Sequence, residues 1–253
     1  MTVVMDKSVR ELALENPSST KVFERLGIDY CCGGNKSLQE ACRVADLNID
    51  QVLDSLDKAA QADLARDEQR DWQVEPLAAL IEHIQSTHHK YTKEEIARLG
   101  PLFEKVCSVH SNKHPELLEV REIFQNLAQE LSAHMMKEET ILFPYIVRVE
   151  SAVTRKETMP RAPFGSVQNP VSMMEHEHDS AGHALRGMRQ RTNGYSAPAD
   201  SCVSYQTLYK ALAILEADLH QHIHLENNIL FPRAVVVEKG RWPHHDRSFD
   251  RKS

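Results

Sequence analysis

Two stretches of this sequence place a histidine and a glutamate four residues apart, ahead of the same four letters. The first is "SAHMMKEETILFP" at 132–144, and the second is "HQHIHLENNILFP" at 220–232. Side chains four residues apart lie on one helical face about one turn apart, so each pair can direct two donor atoms at one point. An isolated pair of this kind is usually a solvated surface contact, so its meaning depends on whether the face is buried.

The apolar residues around both pairs indicate a buried face. They recur at alternating steps of four and three, which is typical of a helix that faces a core. The two inward-facing series are Val120, Phe124, Leu127, Leu131, His134, Glu138, Ile141 and Tyr145, and Tyr205, Leu208, Leu212, Leu215, Leu219, His222, Glu226 and Ile229. A buried imidazole or carboxylate must be paired or metal-bound to offset its desolvation. The pattern therefore predicts metal ligands in the core.

A third segment supplies one histidine in the same phase. Its inward-facing series is Val171, Met174, His178, Ala181, Leu185 and Met188. His178 lies 44 residues before His222. We therefore expect these two imidazoles at the same level of a bundle.

The first long segment carries two adjacent histidines, and its phase leaves both choices open. Each is in phase with apolar residues, namely Ile84 and Tyr91 for His88, and Ile96, Leu99 and Phe103 for His89. The repeat spacing favours His89, because it lies 45 residues before His134.

The predicted metal site contains four imidazoles and two carboxylates. Its members are His89, His134, Glu138, His178, His222 and Glu226. Each carboxylate can bridge two ions that take two imidazoles apiece, with an oxide or hydroxide bridge and an open position completing the coordination. A carboxylate-bridged pair in a four-helix bundle favours iron first and manganese second, whereas zinc usually takes a single tetrahedral site.

Four long helices are needed to bring six ligands to one level, and the sequence predicts them. Only 9 glycines and 6% aromatic residues favour an all-α fold. Helix starts are indicated near Pro76, Pro115, Pro170 and Asp200. Long helices joined by polar loops predict an up-down-up-down four-helix bundle.

A small helical domain that carries two adjacent cysteines is predicted before the bundle. "SVRE" and "SLQE" match the capping box, with Ser8 and Ser37 as the capping residues. The loop "GIDYCCGGNKS" contains Cys31 and Cys32, which suit a labile redox or metal-binding pair; the alternative is two small residues in a turn. We therefore divide the chain into the cysteine-bearing domain at 1–57, a linker at 58–75, the bundle at 76–238 and a tail at 239–253.

The remaining cysteines and histidines are expected to have structural roles. Cys42, Cys107 and Cys202 are expected to be small buried side chains. The histidines that do not belong to the inward-facing series are expected to be solvated, among them His83, His176, His183, His220 and His224.

Composition and charge argue against several classes of partner. A net charge of -7 without a basic block argues against nucleic acid and against polybasic membrane binding. The N-terminus lacks a signal-peptide pattern, and no apolar run approaches the roughly 18 to 20 residues that span a bilayer. Five irregularly spaced cysteines fit a reducing compartment. We expect a cytoplasmic protein.

Several of these motifs together resemble a known family, the repair of iron centres proteins. "IDYCCGG" at 28–34 is similar to that family's N-terminal, ScdA-type signature, and "MEHEHDSAG" at 174–182 is similar to its third-helix motif. "SAHMMKEETILFP" and "LENNILFP" resemble its bundle signatures. The resemblance covers nearly the whole chain and implies a hemerythrin-like bundle behind a small helical domain.

The resemblance implies a site as well as a function. It assigns two non-haem iron ions, with an oxo or hydroxo bridge, to the six residues already named, and it settles His89 over His88. It adds Glu130 and Glu177 as acidic residues that affect iron access or release. It implies repair of iron–sulfur clusters damaged by nitric oxide or oxidants, with damaged iron–sulfur proteins as clients.

Two other functions remain open at the level of sequence. One is a nitric oxide or oxygen binding protein that never donates iron, and the other is an enzyme that reduces nitric oxide at the di-iron centre. We favour the iron donor over an enzyme. A homodimer also remains open.

Overall fold

The structure is a computed structural model that describes residues 2–31, 33–63 and 70–240. Regular structure within these ranges is helical, apart from a bridge between Ser8 and Ser37. None of the helices described there combines the length and apolar character needed to cross a membrane. The predicted linker lies partly outside the described residues, and the predicted tail lies almost wholly outside them.

Five short helices form the N-terminal module. They are α1 (Thr2–Asp6), α2 (Val9–Glu15), α3 (Ser19–Leu26), α4 (Leu38–Val44) and α5 (Ile49–Asp63). The capping box at Ser8 is confirmed, since its side chain accepts from the Glu11 backbone while Glu11 accepts from the Ser8 backbone. At Ser37 half of the predicted box is present, since its side chain accepts from the Glu40 backbone N–H at the start of α4. The module packs around its own apolar core, which includes Phe23.

Four long antiparallel helices form the bundle, and three of them contain a π-helical segment. The first helix is α6 (Leu77–His83), the π segment Ile84–His89 and α7 (Lys90–His110). The second is α8 (Glu116–Lys137), the π segment Glu138–Leu142 and α9 (Phe143–Arg155). The third is α10 (Gln168–Arg191), and the fourth is α11 (Val203–Leu225), the π segment Glu226–Leu230 and α12 (Phe231–Glu238). The all-α bundle is therefore confirmed.

Two of the three π segments end two residues before a proline. Pro144 and Pro232 have no backbone N–H, and a proline ring clashes with the carbonyl four residues before it, so each disturbs the regular hydrogen bonding of its helix. The preceding residues instead donate five residues back, Phe143 to the Glu138 carbonyl and Phe231 to the Glu226 carbonyl. A wide turn of this kind is rare and occurs frequently at functional sites.

The wide turn shifts the phase of the second long helix and makes one prediction wrong. Ile141, which was placed in the inward-facing series, is 50% exposed, whereas Leu142 is buried. A five-residue turn moves the inward position on by one residue after Glu138. The series resumes at Tyr145, which is buried.

Predictions for the remaining cysteines are confirmed at two positions and wrong at one. Cys42 and Cys107 are buried, whereas Cys202 is exposed. Cys202 lies at the start of α11, where the chain enters the bundle from a surface loop, and its Sγ is 3.2 Å from His110 Nε2.

A polar layer divides the apolar core of the bundle into two halves. One half includes Leu99, Phe124, Leu185 and Leu212, and the other includes Ile84, Ile146, Val171 and Phe231. In each long helix the predicted metal ligands lie between these two halves. The predicted ligands therefore form a polar layer between two packed apolar clusters.

Two carboxylates, the buried Glu150 and the partly buried Glu238, cap the starts of two bundle helices from neighbouring helices. Glu150 accepts from the backbone N–H groups of Leu77 and Ala78, at 2.7 and 2.8 Å, at the start of α6. Glu238 accepts from the Val167 N–H at 2.8 Å, beside the start of α10. Glu150 and Glu238 are 88 residues apart, which is also the separation of Glu138 and Glu226. The sequence repeat therefore extends as far as these caps.

We expect Glu150→Ala to destabilise the bundle, because it leaves two N–H groups at a buried helix start without an acceptor. The free energy of unfolding should fall by about 1–3 kcal/mol. Urea denaturation followed by circular dichroism measures it, with Glu157→Ala at an exposed position as the control. Equal stability of the two variants would contradict the capping role.

Candidate metal centre

The six predicted ligands converge between the two halves of the core. Each is between 0 and 3% exposed. Their donor atoms form two groups of four, and within each group all donor atoms lie within 4.8 Å of one another. The groups are His89, Glu138, His222 and Glu226, and His134, Glu138, His178 and Glu226. Both carboxylates belong to both groups.

The first metal position is the one between His89 and His222. Their Nε2 atoms are 3.1 Å apart. Glu226 Oε1 lies 3.0 Å from His222 Nε2, and Glu138 Oε2 lies 3.4 Å from His89 Nε2. Four donor atoms therefore surround this point, and they come from three different helices.

The second metal position is the one between His134 and His178, whose Nε2 atoms are 3.0 Å apart. Glu138 Oε2 lies 3.3 Å from His134 Nε2, and Glu226 Oε2 lies 3.2 Å from His178 Nε2. Glu226 thus directs one oxygen at each position, while a single oxygen of Glu138 faces both. This is the arrangement that bridging carboxylates require.

The chemistry of the donor set fits a pair of cations. Both oxygens of Glu138 and one oxygen of Glu226 are buried without a hydrogen-bond partner among the described residues, which is costly unless a cation lies beside them. Metal–imidazole bonds are about 2.1 Å long, so two nitrogens on one ion at a right angle lie ~3 Å apart. The observed separations are of that size, which suits a five- or six-coordinate ion better than a tetrahedral one.

The protonation of the site also reflects mutual attraction between carboxylates and imidazoles. Burial disfavours a charged His89, yet attraction to the nearby Glu138 and Glu226 carboxylates raises its pKa to about 10. The same balance raises the pKa of His178 to about 9. Burial and the neighbouring Glu226 raise the pKa of Glu138, whereas the surrounding imidazoles overcome burial and hold the pKa of Glu226 well below its usual range. The two carboxylates therefore require positive charge around them.

Two glutamates orient imidazoles of the site, and each is held by a lysine. Glu139 Oε1 lies 2.8 Å from His89 Nδ1 and accepts from Lys93 at 2.6 Å. Glu177 Oε2 lies 2.8 Å from His134 Nδ1, and its other oxygen accepts from Lys137. Such partners fix the tautomer and the orientation of a ligating imidazole.

Of the two acidic residues predicted beside the site, one contacts it and the other does not, and two further contacting residues were missed. Glu177 touches a ligand imidazole, whereas Glu130 is exposed. Asn227 Oδ1, which lies 2.7 Å from His178 Nδ1, was missed, as was Glu139. Each of the missed residues directly follows a predicted bridging glutamate, and that adjacency was the available signal.

His88 is buried but does not belong to either donor group, so the structure brings His89 alone of the pair into the cluster. The His88 ring stacks on the His222 ring, with centroids 5.7 Å apart and an interplanar angle of 7°. Its Nδ1 lies 2.9 Å from Asp218 Oδ1.

The N-terminal module contacts the π segment that begins at Glu226. Arg10 donates to the Asn227 carbonyl at 3.4 Å, and the Asn228 side chain donates to the Tyr30 carbonyl at 3.2 Å. Tyr30 directly precedes Cys31, which is buried and whose N–H donates to the Asp29 carboxylate. The loop with the predicted cysteine pair is thus tied to the metal layer. The other member, Cys32, lies outside the described residues.

The expectation that five further histidines are solvated is wrong for two of them. His224 is buried and its ring contacts Tyr30 at 5.4 Å, while His220 Nδ1 lies 2.8 Å from Glu24 Oε1. Both are covered by the N-terminal module, a contact that the phase of a single helix does not reveal.

Two protein-family models match the chain. The hemerythrin HHE cation binding domain matches residues 80–234, and a domain of unknown function, designated ScdA_N, matches residues 5–60. The first match covers more than half of the chain and contains all six predicted ligands.

Curated relatives match over almost the full length. A protein of Pectobacterium atrosepticum is 39% identical over 234 residues, covering 92% of this chain and 98% of the relative. One from Escherichia coli is 36% identical over 233 residues, covering 92% of this chain and 98% of the relative. Both are named iron-sulfur cluster repair protein YtfE.

We expect Glu139→Gln to weaken metal binding about 10–100-fold, because it removes the carboxylate that orients His89. The measurement is a competition for Zn²⁺ against a chelator of known affinity. Glu94→Gln, one residue from Lys93 and exposed, is the matched control. Unchanged affinity in Glu139→Gln would show that this contact does not support the site.

Proposed function

Because this chain belongs to the repair of iron centres family of hemerythrin-type proteins, we propose that it holds two non-haem irons and returns iron to damaged iron–sulfur clusters. The observation that carries the proposal is the pair of buried four-donor groups that share both glutamates. A stable structural ion needs one such group, whereas two adjacent groups with common bridges suit an iron pair.

In this proposal the six converging side chains divide their work. His89 and His222 would hold one ion, His134 and His178 would hold the other, and both ions would share Glu138 and Glu226 as ligands. When bound, such an iron pair would offer an open position to small anionic or π-acid ligands such as nitric oxide, with an oxo or hydroxo group as a further bridge.

Residues around the site limit access by water. Phe143 lies against His89, with ring centroids 5.7 Å apart, and Phe231 stacks on His178 at 6.1 Å. Both phenylalanines belong to the apolar half of the core beside the π segments. They strengthen every electrostatic contact inside the layer by excluding solvent.

Glu138 is the residue that we propose to control release of the iron cargo. Its pKa is raised by burial and by Glu226, so it takes up a proton more readily than a surface glutamate does. A proton on this carboxylate competes with a cation for the same oxygens. Protonation or rotation of Glu138 would therefore loosen one bridge while Glu226 still holds the pair together.

The proposed clients are damaged iron–sulfur proteins of the cytoplasm. The names of the curated relatives support this, since both refer to iron–sulfur cluster repair. The docked cysteine module supports donation over simple gas binding, because a carrier of nitric oxide or oxygen has no need of it. In this proposal the chain acts as an iron donor, and turnover of nitric oxide is not required.

Replacing either bridging residue, as Glu138→Leu or Glu226→Leu, should abolish binding of the second iron, because leucine leaves two cations without a shared anion. Metal analysis and the optical spectrum of the purified protein measure this. Glu130→Leu at an exposed position should keep the native metal content. Two irons per chain in both variants would contradict the assignment of Glu138 and Glu226 as shared ligands.

We expect Cys31→Ala combined with Cys32→Ala to slow repair, since the cysteine loop is tied to the π segment of Glu226. The assay follows recovery of activity of an aconitase-type enzyme whose cluster has been damaged, with ⁵⁷Fe-loaded protein as the iron source. Cys107→Ala, buried inside the bundle, is the matched control. Repair at the full native rate would mean that the bundle releases iron without the module, and absence of ⁵⁷Fe from the repaired cluster would refute donation.

A further inference from the structure

The outer partners of the two metal positions follow an approximate twofold relation. Glu139 contacts His89 Nδ1, and Asn227, 88 residues later, contacts His178 Nδ1. His89 and His178 are counterparts, because each is the one ligand that its own helix contributes. With this symmetry, the ligand imidazoles of both metal positions should have equivalent partners at Nδ1, unless individual side chains differ.

One pair of counterparts does differ, namely the residues directly before these two histidines. Glu177 precedes His178 and accepts from His134 across the bundle. Its counterpart His88 reaches the equivalent imidazole, His222, but only as a stacked ring. The Nδ1 atom of His88 is engaged elsewhere, with Asp218.

His222 consequently lacks the anchor that the other three ligand imidazoles have. Its Nδ1 is buried and has no hydrogen-bond partner in the part of the chain that the structure describes. Loss of such an outer partner typically costs 10–100-fold in metal affinity. The first position therefore has one oriented imidazole, and the second position has two.

A cavity of about 780 Å³ lies on the same side of the bundle as His222. It separates the N-terminal module from the first and fourth long helices. Its lining includes Trp72, His83, His88, Gln221 and His224. His88 lines the cavity and also stacks on His222, so its ring is in contact with both this space and a ligand of the first position.

We propose that the two positions are functionally unequal: the ion at the first position is the exchangeable one, and it leaves past His88 into the cavity. The second position keeps its ion. This inference rests on the proposed iron-donor function and specifies which iron is delivered.

The test is the kinetics of iron removal from protein loaded with two Fe²⁺ under anaerobic conditions, using ferrozine as the chelator. We expect two phases of one equivalent each, with rates about 10-fold or more apart. Refilling the fast position with ⁵⁷Fe should then give a single Mössbauer doublet. Release of both equivalents in one phase, or no release at all, would overturn the inference.

Variants assign the phases to positions. Asn227→Ala removes the partner of His178, so it should accelerate the slow phase about 10–100-fold and leave the fast phase unchanged. His88→Gln supplies an amide oxygen that can accept from His222 Nδ1, so it should slow the fast phase by about 10-fold. His88→Ala removes the ring without supplying an acceptor and should not slow that phase.

Two controls separate these effects from damage to the fold. His183→Ala, on the exposed face of α10, should leave both phases as in the native protein. Circular dichroism and the initial metal content of each variant establish that the bundle is intact. Acceleration of the fast phase by Asn227→Ala, or equal effects of His88→Gln and His88→Ala, would contradict the assignment.

The chelator assay contains no client protein. Its result therefore tests the inequality of the two positions separately from the proposed iron donation. Two clearly separated phases in a protein that transfers no iron to a damaged cluster would support unequal positions and refute donation. A single phase in a protein that does repair clusters would refute unequal positions and leave donation standing.

Discussion

The constraint on which this structure depends is the burial of two glutamates in the middle of an apolar core. Glu138 and Glu226 have no exposed surface, and transfer of such groups from water is prohibitive unless cations or strong donors surround them. Four imidazoles from four helices meet this requirement. The helices must therefore be long enough to carry an apolar region on each side of the polar layer, and this requirement sets the length of the bundle.

Two of the π segments begin at the buried glutamates themselves. Each bridging glutamate is the first residue of a wide turn, which a proline six residues later helps to enforce. At the start of the second helix's wide turn two adjacent side chains serve one layer: Glu138 faces both positions, while its neighbour Glu139 reaches His89.

How far the sequence predicts the site depends on what determines the role of each residue. The six candidate ligands were predicted from the phase of single helices, which left His88 and His89 both open, and from the repeat spacing, which favoured His89. Ile141 was misplaced because phase counting assumes 3.6 residues per turn through the π segment. Asn227 and Glu139 were missed, and His224 was wrongly expected to be solvated, because their roles arise from contacts across elements. Propensity and periodicity within one element carry no information about such contacts.

The carboxylate caps at Glu150 and Glu238 have a mechanical consequence for the bundle. Each joins the end of one helix to the start of its partner, so the first two helices form one closed hairpin and the last two form another. Each metal position draws one imidazole from either hairpin. The layer of candidate ligands therefore joins two hairpins that are each closed by their own cap, and it shares that role with the apolar clusters on either side of it.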